Sequence, residues 1–154
     1  MPFLDQQGVQ DLTSDIRALA DTTYADITHI HTFVEQYSQS PSAVSVASAT
    51  NTTVANTGSL ASGYHYIILA KASFASNTTG RRVMFLASSN TGSNIDRFCI
   101  NSQLPTTGTN VTTDMSMVYL CHTTSDTTYY LRVYHNAGSA LNVTGGLRVF
   151  KLGM

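Results

Sequence analysis

From Ala43 onward the chain is punctuated by Gly, Asn, Ser and Thr about every eight to twelve residues, and the runs between are short and β-rich. This rhythm constrains the fold more than any other feature. Helical spacing is absent from it, and the runs alternate or carry Val, Ile, Tyr and Phe. Eight strands are predicted: Ala43–Ala47, Thr52–Asn56, Tyr64–Ala75, Arg81–Ser88, Asp96–Asn101, Thr113–His122, Thr128–Asn136 and Gly146–Leu152. Short strands of this number and spacing make an antiparallel sandwich or barrel, and the length suits a single jelly roll. Asn77 to Gly80 reads as the turn of a hairpin between the third and fourth strands.

The first part of the chain has another period. Val9, Leu12, Ile16, Leu19, Thr23, Ile27, Ile30, Val34 and Tyr37 follow one another at steps of three and four, a heptad seam with one stutter near Thr23. Asp5 is a good N-cap, and Leu4 and Val9 hold the hydrophobic-staple positions. A helix from Val9 to Tyr37 would be on the order of 40 Å long. Its seam is narrow, and such a helix alone is marginal in water. Self-association in a parallel bundle is the favoured reading, with packing on the second module as the alternative. Isoleucine at several seam positions leans toward three chains. Residues 1–37 are therefore expected to be a helical trimerisation and attachment segment. Residues 38–42 are expected to be a linker stopped by Pro41, and residues 43–154 the jelly-roll head. The expected trimer contacts are Leu12, Ile16, Leu19, Ile27, Ile30 and Val34.

Charge supports two modules. Up to Tyr37 the net charge is −5, with Arg17 the one base; beyond it the net charge is +4. Only 11% of residues are charged, against roughly a quarter in an average soluble domain. Thr, Ser and Asn take their place, which suits an extracellular or virion surface. It does not suit a nucleic-acid binder, which needs Lys and Arg against phosphate. No apolar run reaches membrane-span length. The start, MPFLDQQGVQ, has neither the basic nor the apolar segment of a signal peptide, so synthesis in a host cytoplasm is expected.

Little points to chemistry. The second module holds Asp96, Asp114 and Asp126 on different segments, where a glycosidase needs a facing pair. His65, His122 and His135 are scattered, and no phosphate loop or zinc spacing is present. No enzyme, cofactor or metal is expected. His29 and His31 would bind a metal only from an extended segment; on a helix they diverge and flank the seam as solvated side chains. Cys99 and Cys121 are read as buried free thiols, with a cross-strand disulfide as the alternative.

Two stretches carry a resemblance. SGYHYIILAKASFA is similar to the entrance into a long central strand of the C1q/TNF-like jelly roll, and TTYYLRVYHNAGSALNVTGGLRVFKLGM to its last two strands. FLDQQGVQDLTSDIRAL resembles a start found on tail and fibre proteins of phages. The resemblance implies a homotrimeric virion protein: a tailed-phage fibre tip or receptor-binding head that touches a bacterial surface glycan or protein. Its N-terminal segment would meet other virion proteins. A capsid or tail decoration fibre without a receptor is the alternative, and a secreted C1q-like ligand a third. Asn-x-Thr sequons at Asn51, Asn77, Asn110 and Asn142 would suit the third, though a chain this rich in Asn and Thr produces them by chance.

The third and fourth strands look apolar on both faces, as they would if the second face met another subunit. Arg81 and Arg82 are expected at the rim, either solubilising an edge or contacting a subunit or ligand. An even number of antiparallel traverses puts both ends of the sandwich at one pole. The far pole then carries the loops Ser48–Asn51, Ser76–Gly80, Ser102–Thr112 and Ala137–Gly145. Gln103, Thr106, Thr107, Asn110, Asn77 and Thr78 are the expected receptor contacts there. A strand count wrong by one would exchange the poles and bring forward Thr57–Gly63, Ser89–Ile95 and Thr123–Thr127.

Overall fold

The computed structural model describes Ser14 and residues 33–91, 97–108 and 110–152. The helical seam from Val9 to Ile30, with His29 and His31, lies outside the described residues. Eight strands follow: β1 Phe33–Val46, β2 Thr52–Asn56, β3 His65–Phe74, β4 Arg82–Ala87, β5 Arg97–Gln103, β6 Thr113–His122, β7 Tyr130–His135 and β8 Leu141–Leu152. They form two four-stranded sheets in the orders β1-β8-β3-β6 and β2-β7-β4-β5, antiparallel throughout. Of the connections, only β4–β5 joins neighbours within one sheet, and the arrangement is that of a jelly roll.

Three expectations change. Val34 to Tyr37 is strand, not helix, and residues 38–42 are not a linker but the middle of β1. The seam spacing of Val34 and Tyr37 was misleading, because a bulge between Glu35 and Tyr37 gives the same spacing to a strand. Pairing with β8 satisfies the backbone, so tertiary context overrides the helical period. Pro41 does not stop the chain either. It sits on the edge strand, where a second register shift between Gln39 and Ser42 removes the need for its missing N–H. Gly146 makes room for this bulge, since a Cβ there would press on the Gln39 carbonyl and on Pro41. The third change is at Asn77–Gly80, which is no hairpin turn: β3 and β4 belong to different sheets, so the segment arches across the sandwich.

The core follows from alternation. Tyr66, Ile68, Ala70, Ala72 and Phe74 point inward from β3 and meet Met84 and Leu86 of β4, Leu131 and Val133 of β7, Met115 and Met117 of β6, and Val143, Leu147 and Val149 of β8. Complete burial of a side chain such as Ile68 or Phe74 contributes about 1.5–3 kcal/mol. Gly145 also faces in, against Val54 of the other sheet, where the two layers come too close for a side chain. Cys99 and Cys121 are free thiols, half-buried and buried respectively.

Candidate functional site

At the far pole the chain makes four turns that tie to one another. His135, fully buried, anchors them from below: its Nε2 is 2.9 Å from the Val46 carbonyl, and the Ala137 N–H donates to its Nδ1. An acceptor role for Nδ1 leaves the proton on Nε2, which donates to Val46. The Ala49 N–H donates to the His135 carbonyl, and the Gly138 N–H to Ser48 Oγ. Thr79 Oγ1 donates to the Ala137 carbonyl, and the Arg81 N–H to Asn136 Oδ1. These bonds join the loops after β1, β3 and β7 into one rigid rim.

Arg82 completes it from inside. This side chain is wholly buried, where exposure at the rim was expected. It shares the inward face of β4 with Met84 and Leu86. Its Nη1 donates to the Thr79 carbonyl at 2.9 Å and its Nη2 to the Asn77 carbonyl at 3.0 Å. Burial pushes its pKa below the ordinary guanidinium value. The arginine thus serves as a plug that caps the core and holds the arch, and it has no outward contact to offer a ligand.

The expected receptor residues divide accordingly. Thr78, Thr106, Thr107 and Asn110 are exposed at this pole. Asn77 is spent on structure: its Oδ1 accepts from the Thr79 N–H at 2.8 Å, an Asx turn. Gln103 is spent too. It closes β5, and its Nε2 donates to the Asp114 carbonyl at 3.1 Å. Asn101 makes the matching bond to the Ser116 carbonyl, so side chains rather than a backbone ladder staple the edge of β5 to β6. Ser76 Oγ meets the Gly108 carbonyl, which joins the loop after β5 to the same rim. The poles are those expected from eight traverses.

A second surface lies on the outer face of the β1-β8-β3-β6 sheet. Ile67 and Leu69 of β3 stand opposite Leu120 and Val118 of β6, and opposite Phe150 and Arg148 of β8. Val118 and Leu120 are 66% and 61% exposed, and Leu69 39%. Phe33 of β1, opposite Leu152, is exposed on the same face, whereas Val34, expected in a helical seam, pairs with Lys151 and lies exposed on the other face of the sheet. The rows toward the far pole turn polar, with Lys71 opposite Ser116 and Ser73 opposite Asp114. A shallow groove of about 410 Å3 crosses the boundary, walled by Ser38 and Pro41 on one side and by Val118 and Ser116 on the other. Leu69, Val118 and Leu120 make an apolar band on an otherwise hydroxyl-rich surface.

The doubled apolarity of β4 has a different cause. Val83, Phe85 and Ala87 do form a second buried face, but Tyr134 of the same chain packs on them, and the guanidinium of Arg97 lies 4.5 Å over the Phe85 ring. This face is covered from within, and the expectation of a subunit contact there is corrected. Among the described residues, no three His, Cys, Asp or Glu side chains gather as a metal site, and no helix is long and apolar enough to cross a membrane.

No family model and no curated protein matches the chain. Among solved structures, it is similar to the VP2 subviral particle of infectious bursal disease virus, with a TM-score of 0.50 at 11% identity over 74% of this chain and 32% of that one. It is similar to the Gt strain of the same virus at 0.50 and 12%, over 74% and 31% of the two chains. The chain thus spans about a third of the length of these relatives. At such identity the likeness is one of fold: a mainly β, two-sheet sandwich.

Proposed function

We propose that this chain is a non-catalytic structural protein of a phage virion, a fibre-tip or receptor-binding head that assembles as a homotrimer and meets the bacterial surface with its far pole. The observation that carries the reading is the apolar outer face of the β1-β8-β3-β6 sheet. Leu69, Val118 and Leu120 stand exposed on adjoining strands of a domain whose own core is already closed. Water contact there is unfavourable by about 25 cal/mol for each Å2 of apolar surface, and a second and third copy remove it. The fold, which it shares with VP2 of a viral particle, is compatible with a place on a capsid or tail. A decoration fibre with no receptor of its own would use the same sandwich and the same trimer.

The rigid rim gives the attachment role its support. Arg82 fixes the arch that presents Thr78, and the loop that presents Thr106, Thr107 and Asn110 is tied by the Thr106 N–H donating to Thr113 Oγ1 and by Ser76 Oγ at the Gly108 carbonyl, which lowers the ordering cost of a contact there. Hydroxyl and amide groups in such an array suit hydrogen bonding to sugar. Sedimentation equilibrium is expected to give the mass of three 16.6 kDa chains, and a monomer would overturn the assembly. Purified protein is expected to adhere to host bacteria, and replacement of residues 106–110 by a Gly/Ser loop is expected to abolish adhesion. Full adhesion by that variant removes the loop as the contact, and no adhesion by the parent protein favours the decoration fibre.

A further inference from the structure

A small cavity opens on the outer face of the β2-β7-β4-β5 sheet, the opposite side of the sandwich from the apolar band. It holds about 100 Å3 and is lined by Asn51, Arg81, Val83, Phe85, Arg97 and Tyr134. The floor is dry, since Val83 and Phe85 are buried. The walls are cationic. Arg97 lies over the Phe85 ring at 4.5 Å, and Arg81 lines the cavity beside it; Arg132, buried 5.9 Å from the same ring, is outside the lining and donates to the Asn51 and Thr91 carbonyls. After burial, the field of Arg97 is the next influence holding the Arg132 pKa below its ordinary value, a sign that the two guanidinium groups feel each other. The strands β2, β4, β5 and β7 carry no Asp or Glu. One acceptor completes the set: Asn51 Oδ1 is buried without a hydrogen-bond donor.

We propose that this cavity binds a hydroxylated oxyanion, the group shared by the carboxylate end of an acidic sugar and by a protonated phosphate. Guanidinium forks match the paired oxygens of carboxylate and phosphate, and they do so best over an apolar floor that excludes water. Like charges collected on one face repel, and an anion between Arg81 and Arg97 removes that cost. An adjacent hydroxyl supplies the donor that Asn51 Oδ1 lacks. Size sets the limit: at ~30 Å3 per water, the cavity takes about three waters' worth of ligand, an anionic group but not a whole sugar ring. The rest of the ligand lies outside, against Tyr134. The site is on the sheet that the proposed trimer leaves open, and it stands independently of that trimer and of the attachment loops.

The test is a titration of the full chain in low-salt buffer with glucuronate, inorganic phosphate and glucose, read by calorimetry and by the thermal midpoint. One or both anions are expected to bind and to raise the midpoint, with no response to glucose. Glucuronate alone assigns the site to a sugar acid, phosphate alone to a phosphate group. Arg97→Gln and Arg81→Gln are each expected to weaken binding at least tenfold while circular dichroism stays unchanged, and Arg148→Gln, on the other sheet, to leave it intact. Absence of binding by both anions overturns the proposal. So does an equal loss in the Arg148→Gln variant, which reduces the effect to net charge.

Discussion

The Arg82 guanidinium donates to the carbonyl oxygen of Asn77 from inside the core, across an arch that joins the two sheets. The contact ties a buried charge to an exposed loop, and the second fork nitrogen repeats it at Thr79. Replacing Arg82 by Leu keeps the apolar stem but leaves two carbonyls without a donor. At about 1–3 kcal/mol for each unsatisfied group, the variant is expected to lose roughly 2–6 kcal/mol. Urea denaturation of wild type and Arg82→Leu checks it, and a change under about 0.5 kcal/mol refutes the plug role.

Gly80 is the residue that lets the arch reach the β7–β8 loop. It has φ +78, and a Cβ there would run into the Asn136 backbone. Gly80→Ala is expected to cost more than the ~1 kcal/mol typical of a left-handed site, because the neighbouring loop must also move. Gly63, at φ +82 with open space around it, serves as the control, and its alanine variant is expected to lose only the conformational part.

Val118→Asp combined with Leu120→Asp tests the association face. Both side chains are exposed in the single chain, so the fold is expected to survive with its circular dichroism unchanged. Sedimentation is expected to show monomer. A persistent trimer with both charges in place would move the interface elsewhere.

Burial raises the pKa of Cys121 from 9.0, and of Tyr66, Tyr119 and Tyr129 from 10.0, with desolvation the largest cause in each. A raised folded pKa means the folded state disfavours the ionised form. The stability that these groups contribute is complete below pH 9 and is lost as pH climbs past their unfolded values of 9.0 and then 10.0. The urea midpoint is therefore expected to hold between pH 7 and 9 and to fall between pH 9 and 11. A flat profile to pH 11 contradicts it.

Much of the sandwich was legible because punctuation and alternation agree. Thr52–Asn56 and Thr113–His122 fall where the turn residues and the period of two place them. The misses have one physical origin, which is that long-range pairing decides between equally permitted local states. Gly145 read as loop and Gly146 as the start of the last strand, yet β8 begins earlier and both lie inside it, because each removes a side chain where another element passes close. Phe33–Ser42 read as helix and linker, yet β8 recruits it as an edge strand. The exposed threonines of the far pole were visible as polar loops. The tasks of Asn77, Gln103 and Arg82 were not, since each depends on a carbonyl that only the folded chain brings near.

Phe33 and Leu152 are cross-strand partners, so both ends of the described sandwich leave from one pole. The mechanical consequence depends on where a load is applied. Pulling the two ends apart peels β1 from β8 one hydrogen bond at a time, the weak geometry of a zipper. Tension between that pole and the opposite rim runs along the strands instead, and it must strain whole ladders together before any bond yields. A domain held at one pole and gripped at the other thus meets force along its strongest axis.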